Sequence, residues 1–258
     1  MRKWLVDSAV VAALVVCSAM PTEVAAQTSG TAVPRAPDGH PDLAGIWQIM
    51  NTAAWDLEPH IAQLDVPAGV GVIEGSQIPY TPAALAKKKE NYEKRATLDP
   101  DSKCFLPGVP RVMYMPFPFQ IVQTPTLMTF LFEYVHAVRN IFMNTSHPAG
   151  PIEWWMGDSR GRWEGDTLVV DVVHFNADTW FDKAGNFHSE EMHLVERFTL
   201  IGPDHINYEV TIEDPKVFTR PWKIRIILYR HKETNLRLLE YECYSFDGPE
   251  IYKPIHTP

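Results

Sequence analysis

Between Trp154 and Arg230 apolar and polar residues alternate again and again with a period of two, which commits this part of the chain to consecutive strands. The run His205 to Glu213 sets the standard. Ile206, Tyr208, Val210 and Ile212 fall on one face, and Asn207, Glu209, Thr211 and Glu213 on the other. Successive side chains of a strand point to opposite sides, so such a run is a half-buried strand. Two neighbouring strands carry an ionisable group on the apolar face. Met192 to Leu200 lines up Met192, Leu194, Glu196, Phe198 and Leu200, and Asp166 to His174 lines up Leu168, Val170, Val172 and His174. A carboxylate and an imidazole aimed into an apolar interior need a partner or a task.

Further strands are expected at Leu43 to Ile49, Phe119 to Gln123, Leu127 to Tyr134, Ala137 to Met143, Ile152 to Met156, Trp222 to Arg230 and Arg237 to Tyr244. Turn residues separate them at Gly157-Asp158-Ser159-Arg160-Gly161, Gly202-Pro203-Asp204 and Lys232-Glu233-Thr234-Asn235. One helix is expected, from Pro82 to about residue 95. Thr81 is its N-cap, Pro82 its first residue and the following lysine run a solvated face. Thr52 to Pro79 and Asp99 to Pro118 lack periodicity and are rich in proline. The first of these is expected as a flap or lid. Many antiparallel strands in series with one outlying helix indicate an all-β, up-and-down barrel.

Arg2 and Lys3, the apolar stretch Ala9 to Met20 and the small residues Val24-Ala25-Ala26 have the order of a cleavable secretory signal over residues 1–26. Residues 27–41, rich in Thr, Ser, Gly, Ala and Pro, are expected as a flexible leader, and 42–258 as a single domain. The expected location is therefore periplasmic or secreted, with no membrane span after processing. A net charge of −9 without a basic stripe argues against nucleic acid as a partner. Past the signal two cysteines remain, Cys104 and Cys243. In an exported protein they are expected to pair, the other reading being two separate buried thiols.

The segment from Trp155 to Asp171, Trp-Met-Gly-Asp-Ser-Arg-Gly-Arg-Trp-Glu-Gly-Asp-Thr-Leu-Val-Val-Asp, resembles a signature of a large, mainly uncharacterised family of exported bacterial proteins. Pro41-Asp42-Leu43-Ala44-Gly45-Ile46-Trp47, the run His188 to Phe198 and Thr219-Arg220-Pro221-Trp222 are similar to other motifs of that family. The resemblance covers most of the mature chain and implies export, without an established activity. Where members often carry Asn, this chain has His174. The stretch Arg162 to Leu168 also resembles lipocalin-type (calycin) barrels, and the mouth of such a barrel is the default ligand site.

Gly157-Asp158-Ser159-Arg160-Gly161 matches the Gly-x-Ser-x-Gly pattern of serine hydrolases. That pattern needs a strand before the serine and a helix after it, whereas a strand follows here, so the segment is expected as a hairpin loop. His188, His193 and Glu196 are the densest group of potential ligands. Strand parity sends His193 and Glu196 to opposite faces, so neither a metal nor another cofactor is expected.

Glu196 is the candidate acid/base, with His188 or His193 as second partner and Arg139 or Arg220 as counter-charge. Tyr134, His136, Arg139, Trp155, His174 and Arg220 are expected around a ligand. Two functions stand side by side. One is an acid/base enzyme (lyase, isomerase or hydrolase) on a small apolar or aromatic molecule, and the other is a non-catalytic carrier. Carbohydrate binding through exposed tryptophans is a third reading. A small-molecule partner is common to all of them, and the oligomeric state is open.

Overall fold

A computed structural model of the protein describes residues 33–64, 66–241 and 243. The expected signal, the first part of the leader and the end of the last expected strand lie outside the described residues.

Among the described residues nine strands close into a barrel in sequence order: β1 (Gly45–Ile49), β2 (Phe119–Gln123), β3 (Leu127–Phe132), β4 (Val138–Met143), β5 (Asp158–Glu164), β6 (Thr167–Val173), β7 (His193–Gly202), β8 (His205–Glu213) and β9 (Trp222–Arg230). The all-β class stands, but the topology is mixed rather than up-and-down. An odd number of strands joined only by antiparallel neighbours would leave the first and last parallel. Here β1 and β9 pair antiparallel, and the mismatch is taken up by β4 and β5, which run parallel. A parallel pair requires a crossover, and residues 144–157 supply it.

The crossover corrects two expectations. Ile152 to Met156 is not a strand, and Gly157 to Gly161 is not a hairpin loop but the entry into β5. The inward positions of β5 open with the small residues Ser159 and Gly161 and reach an apolar ring only at Trp163, so no run of alternating apolar residues advertises the strand. Gly161 is small for a reason. A Cβ there would lie 2.6 Å from Met143 Sδ and 2.8 Å from Ile141 Cγ2, both on the parallel neighbour β4. Gly157, at φ +64°, lets the crossover turn into β5 against the Phe175 ring, which a Cβ would meet at 2.7 Å.

The helix α1 spans Pro82–Glu93 with the Thr81 hydroxyl accepting from Ala84 N, and a short α2 (Arg95–Leu98) follows it. The barrel interior is filled by rings. Phe119 lies 5.8 Å from Phe130, Phe130 5.6 Å from Phe198, and Phe198 4.9 Å from Tyr208.

One end of the barrel has short turns. At the other, the long irregular segments are folded into a stopper. Leu57, Val109, Met113, Tyr114 and Phe181 are buried there. Tyr114 Oη donates to Phe181 O at 2.9 Å, and Lys183 N donates to Ala54 O at 3.2 Å. The expected lid is part of this stopper, and further along it extends the sheet edge of β9. Arg225 N donates to Val72 O and Glu74 N to Lys223 O, each at 2.9 Å.

Residues 33–41 of the expected leader are docked on the barrel. Arg35 forms two hydrogen bonds with Asp166, and the His40 ring stacks on Trp163 with centroids 4.8 Å apart. Residues 237–241 of the expected last strand are irregular instead. Leu239 N donates to the Glu133 carboxylate, and the Tyr241 ring packs on Tyr134. Cys104 and Cys243 form a disulfide with Cα atoms 5.6 Å apart. No described helix is long and apolar enough to cross a membrane.

Candidate functional site

Strand parity places Glu196 inside the barrel, fully buried. Arg139, inward on β4, meets it with both terminal nitrogens; Nη1 reaches Oε1 at 3.0 Å and Nη2 pairs with Oε2. Tyr208 Oη donates to Oε1 at 2.7 Å. The Ser159 hydroxyl accepts from Arg139 Nε at 3.1 Å and Nη2 at 3.0 Å. Burial and then the facing Glu196 charge push the Tyr208 phenol well above its ordinary range. Each member of the group is satisfied by the others, which is what buried charges require. Ser159, the serine of the hydrolase-like pattern, points inward as an acceptor for Arg139.

The other expected partners do not gather around Glu196. His188 is buried in the stopper. Its Nδ1–H donates to Ser189 O at 2.9 Å, and its Nε2 faces the Thr179 hydroxyl at 2.6 Å. Burial holds its pKa below the ordinary value. Arg220 is exposed, and its guanidinium donates to Pro221 O. Tyr134, His136 and Arg139 diverge from the β3–β4 reversal. Tyr134 hydrogen-bonds the Asp101 carboxylate, His136 is exposed in a left-handed conformation, and Arg139 turns inward. Trp155 is half-buried against Phe105, with ring centroids 5.1 Å apart. His174 follows β6 at φ +63°, so parity no longer aims it inward. Its ring meets His147 and Trp154 edge-on. Histidine and asparagine both tolerate the left-handed region, so the position suits either residue.

A polar chain that the sequence-based expectations touch only at His193 runs over the outer face of β5, β6 and β7, away from Glu196. Asp158 pairs with Arg160 at 2.6 and 2.7 Å and with His147 Nδ1 at 2.5 Å. His147 Nε2 lies 2.9 Å from Asp171 Oδ1, and His193 Nε2 lies 2.9 Å from Asp171 Oδ2. A carboxylate only accepts, so His147 must donate from both nitrogens to make both bonds. Partial burial raises the Asp158 and Asp171 pKa values, but hydrogen bonds from Arg160 and His147 to the first, and from the two histidines to the second, hold both below the usual range. Asp171 could have been suspected from the polar face of β6. His147 sits in the irregular crossover, where periodicity gives no signal.

The mouth under the stopper holds a further feature. Trp222, the first inward residue of β9, packs its ring against Phe181 and Phe218 with centroids 5.6 and 5.3 Å away. Its Nε1–H is buried and has no acceptor among the described residues. Arg111, bound to Asp99 at 2.7 and 3.0 Å, likewise leaves Nε without a partner among them. Asp182 ties the stopper together. Its carboxylate accepts from Leu57 N, Ala184 N, Asn186 N and Asn186 Nδ2 at 2.6 to 3.3 Å. Against these donors, burial and the Asp56 charge push its pKa up to about 7.

Among the described residues no group of three or more His, Cys, Asp or Glu is arranged to hold a metal ion. Comparison of the chain with protein-family models, curated proteins and solved structures finds no match.

Proposed function

We propose that this protein is an exported, lipocalin-like barrel that binds a small, largely aromatic molecule at its stoppered mouth, without chemistry at Glu196. The observation that carries the reading is the Trp222 indole N–H, enclosed by rings and left without an acceptor among the described residues. Leaving a buried donor unpaired costs roughly 1–3 kcal/mol, which a ligand bringing an acceptor atom among those rings recovers. Phe181 sits on the stopper beside this donor, so ligand entry displaces that loop. The acid/base role of Glu196 is set aside because Arg139 and Tyr208 already occupy its oxygens.

Two naphthalenes test the reading through quenching of intrinsic fluorescence. 2-Acetylnaphthalene offers a ketone acceptor, and naphthalene does not. The ketone binds more tightly to the wild-type protein, and Trp222→Phe removes the preference at a cost of about tenfold in its Kd. Equal binding of the two probes, or a preference that survives Trp222→Phe, refutes the assignment. Export is tested separately by sequencing the N-terminus of protein recovered from the periplasm, with Gln27 expected first.

A further inference from the structure

We infer that the outer-face pair His193–Asp171 is a general-base site that hydrolyses small neutral or cationic carboxylic esters, independently of the barrel interior. Three observations converge. First, His193 is partly exposed, with a side-chain exposure of 38%, its partner Asp171 is nearly as open, and His147, Arg160 and Asp158 behind them are more enclosed. Second, its Nε2–H is held by Asp171 at 2.9 Å, which fixes the tautomer and leaves the Nδ1 lone pair as the basic atom; no partner for Nδ1 is found among the described residues. Third, Asp171 is itself fixed by His147, which is anchored to Asp158 and Arg160. A base oriented by a carboxylate, itself held by further hydrogen bonds, is the arrangement general-base catalysis needs.

A staple for the crossover alone would need only His147, Asp158 and Asp171. His193 lies on β7, outside the crossover, and adds to that staple nothing that its exposed ring would be needed for.

The chemistry balances with water as the only co-reactant. Nδ1 of His193 takes a proton from water as the water oxygen bonds to the ester carbonyl carbon. The tetrahedral adduct then expels the alcohol, with cleavage of the C–O bond, and the alkoxide receives the proton from Nδ1. The products are a carboxylic acid and an alcohol. The substrate class follows from charge. Behind the imidazole Arg160 and the doubly donating His147 offset Asp158 and Asp171, and the exposed Glu213, which pairs with His193 on β8, adds a negative charge beside the ring, so an anionic ester is repelled.

The assay compares p-nitrophenyl acetate with the anionic p-nitrophenyl hemisuccinate. The wild-type protein is expected to exceed equimolar 4-methylimidazole by about 100-fold on the acetate and to discriminate against the hemisuccinate in a salt-dependent way. His193→Ala falls to the imidazole baseline with its melting temperature unchanged, and added imidazole restores turnover. Should the alanine variant melt lower, His193→Gln keeps a donor to Asp171 and lacks the base, and it is expected to be inactive and stable. Asp171→Asn retains less than a tenth of the activity. A wild-type rate no faster than 4-methylimidazole, or activity that survives both His193 variants, overturns the proposal.

Discussion

Arg139 and Glu196 stand on strands separated by two others, yet they meet inside the barrel with both charges enclosed. Removing one partner leaves the other buried and unpaired. Glu196→Gln or Arg139→Met is therefore expected to cost about 3–5 kcal/mol in urea unfolding. The combined variant Arg139→Met/Glu196→Leu/Tyr208→Phe removes the whole polar group and recovers most of that loss. A combined loss equal to the sum of the single ones would contradict the coupling.

Acid should weaken the stopper through His188. Its folded-state pKa lies below the ordinary 6.5, so the unfolded chain takes up the proton first. The contribution is fully present above pH 6.5 and is lost as the pH falls from there through the folded value. His188→Gln, which can still accept from Thr179 and donate to Ser189, flattens this slope. Urea midpoints between pH 7.5 and 5.5 are the measurement.

Asp182 works in the opposite direction. With its pKa raised to about 7 from 3.8, the folded state holds the proton longer. The contribution is fully present below 3.8 and is lost as the pH rises through 7, by up to about 4 kcal/mol. The Asp182 carboxyl carbon is expected to titrate near pH 7 in a carbon-13 spectrum, with His188→Gln as background to isolate the slope.

Gly161→Ala brings a methyl group against Met143 and Ile141 across the parallel pair and is expected to cost about 1–3 kcal/mol. Pairing it with Met143→Ala opens room for the methyl, so the double variant loses less than the two single changes added together. Equilibrium unfolding of the four proteins decides.

Reduction of Cys104–Cys243 frees a loop with a sequence separation of 139. The expected loss is about 5 kcal/mol on the chain-entropy account, read as a lower melting temperature with dithiothreitol. Cys104→Ser should reproduce the lowered value and be insensitive to the reductant.

The sequence was most legible where one face of a strand is apolar and the other polar. β7, β8 and β9 fall close to their expected bounds, and the inward aim of Glu196 follows from the same alternation. β5 escapes the periodic reading because two of its three inward residues are Ser159, which serves Arg139, and Gly161, kept small by the closeness of β4, with only Trp163 apolar. The parallel pairing could not be read from periods at all, since alternation says which face a residue takes and not which way the neighbour runs. His147 and Asp182 gained their importance from partners more than ten residues away, which no local pattern records. His174 was misplaced because a left-handed residue interrupts the alternation just where it was extrapolated.

The disulfide has a consequence for how the barrel can be taken apart. It joins a residue before β2 to one after β9, so those eight strands lie within a single covalent ring, and β1 alone lies outside. β1 is the stave that completes the cask between its two neighbours. A cut in the chain between β1 and Cys104 would leave the ring whole and make that stave an exchangeable peptide, one that a synthetic copy, labelled or altered, could replace.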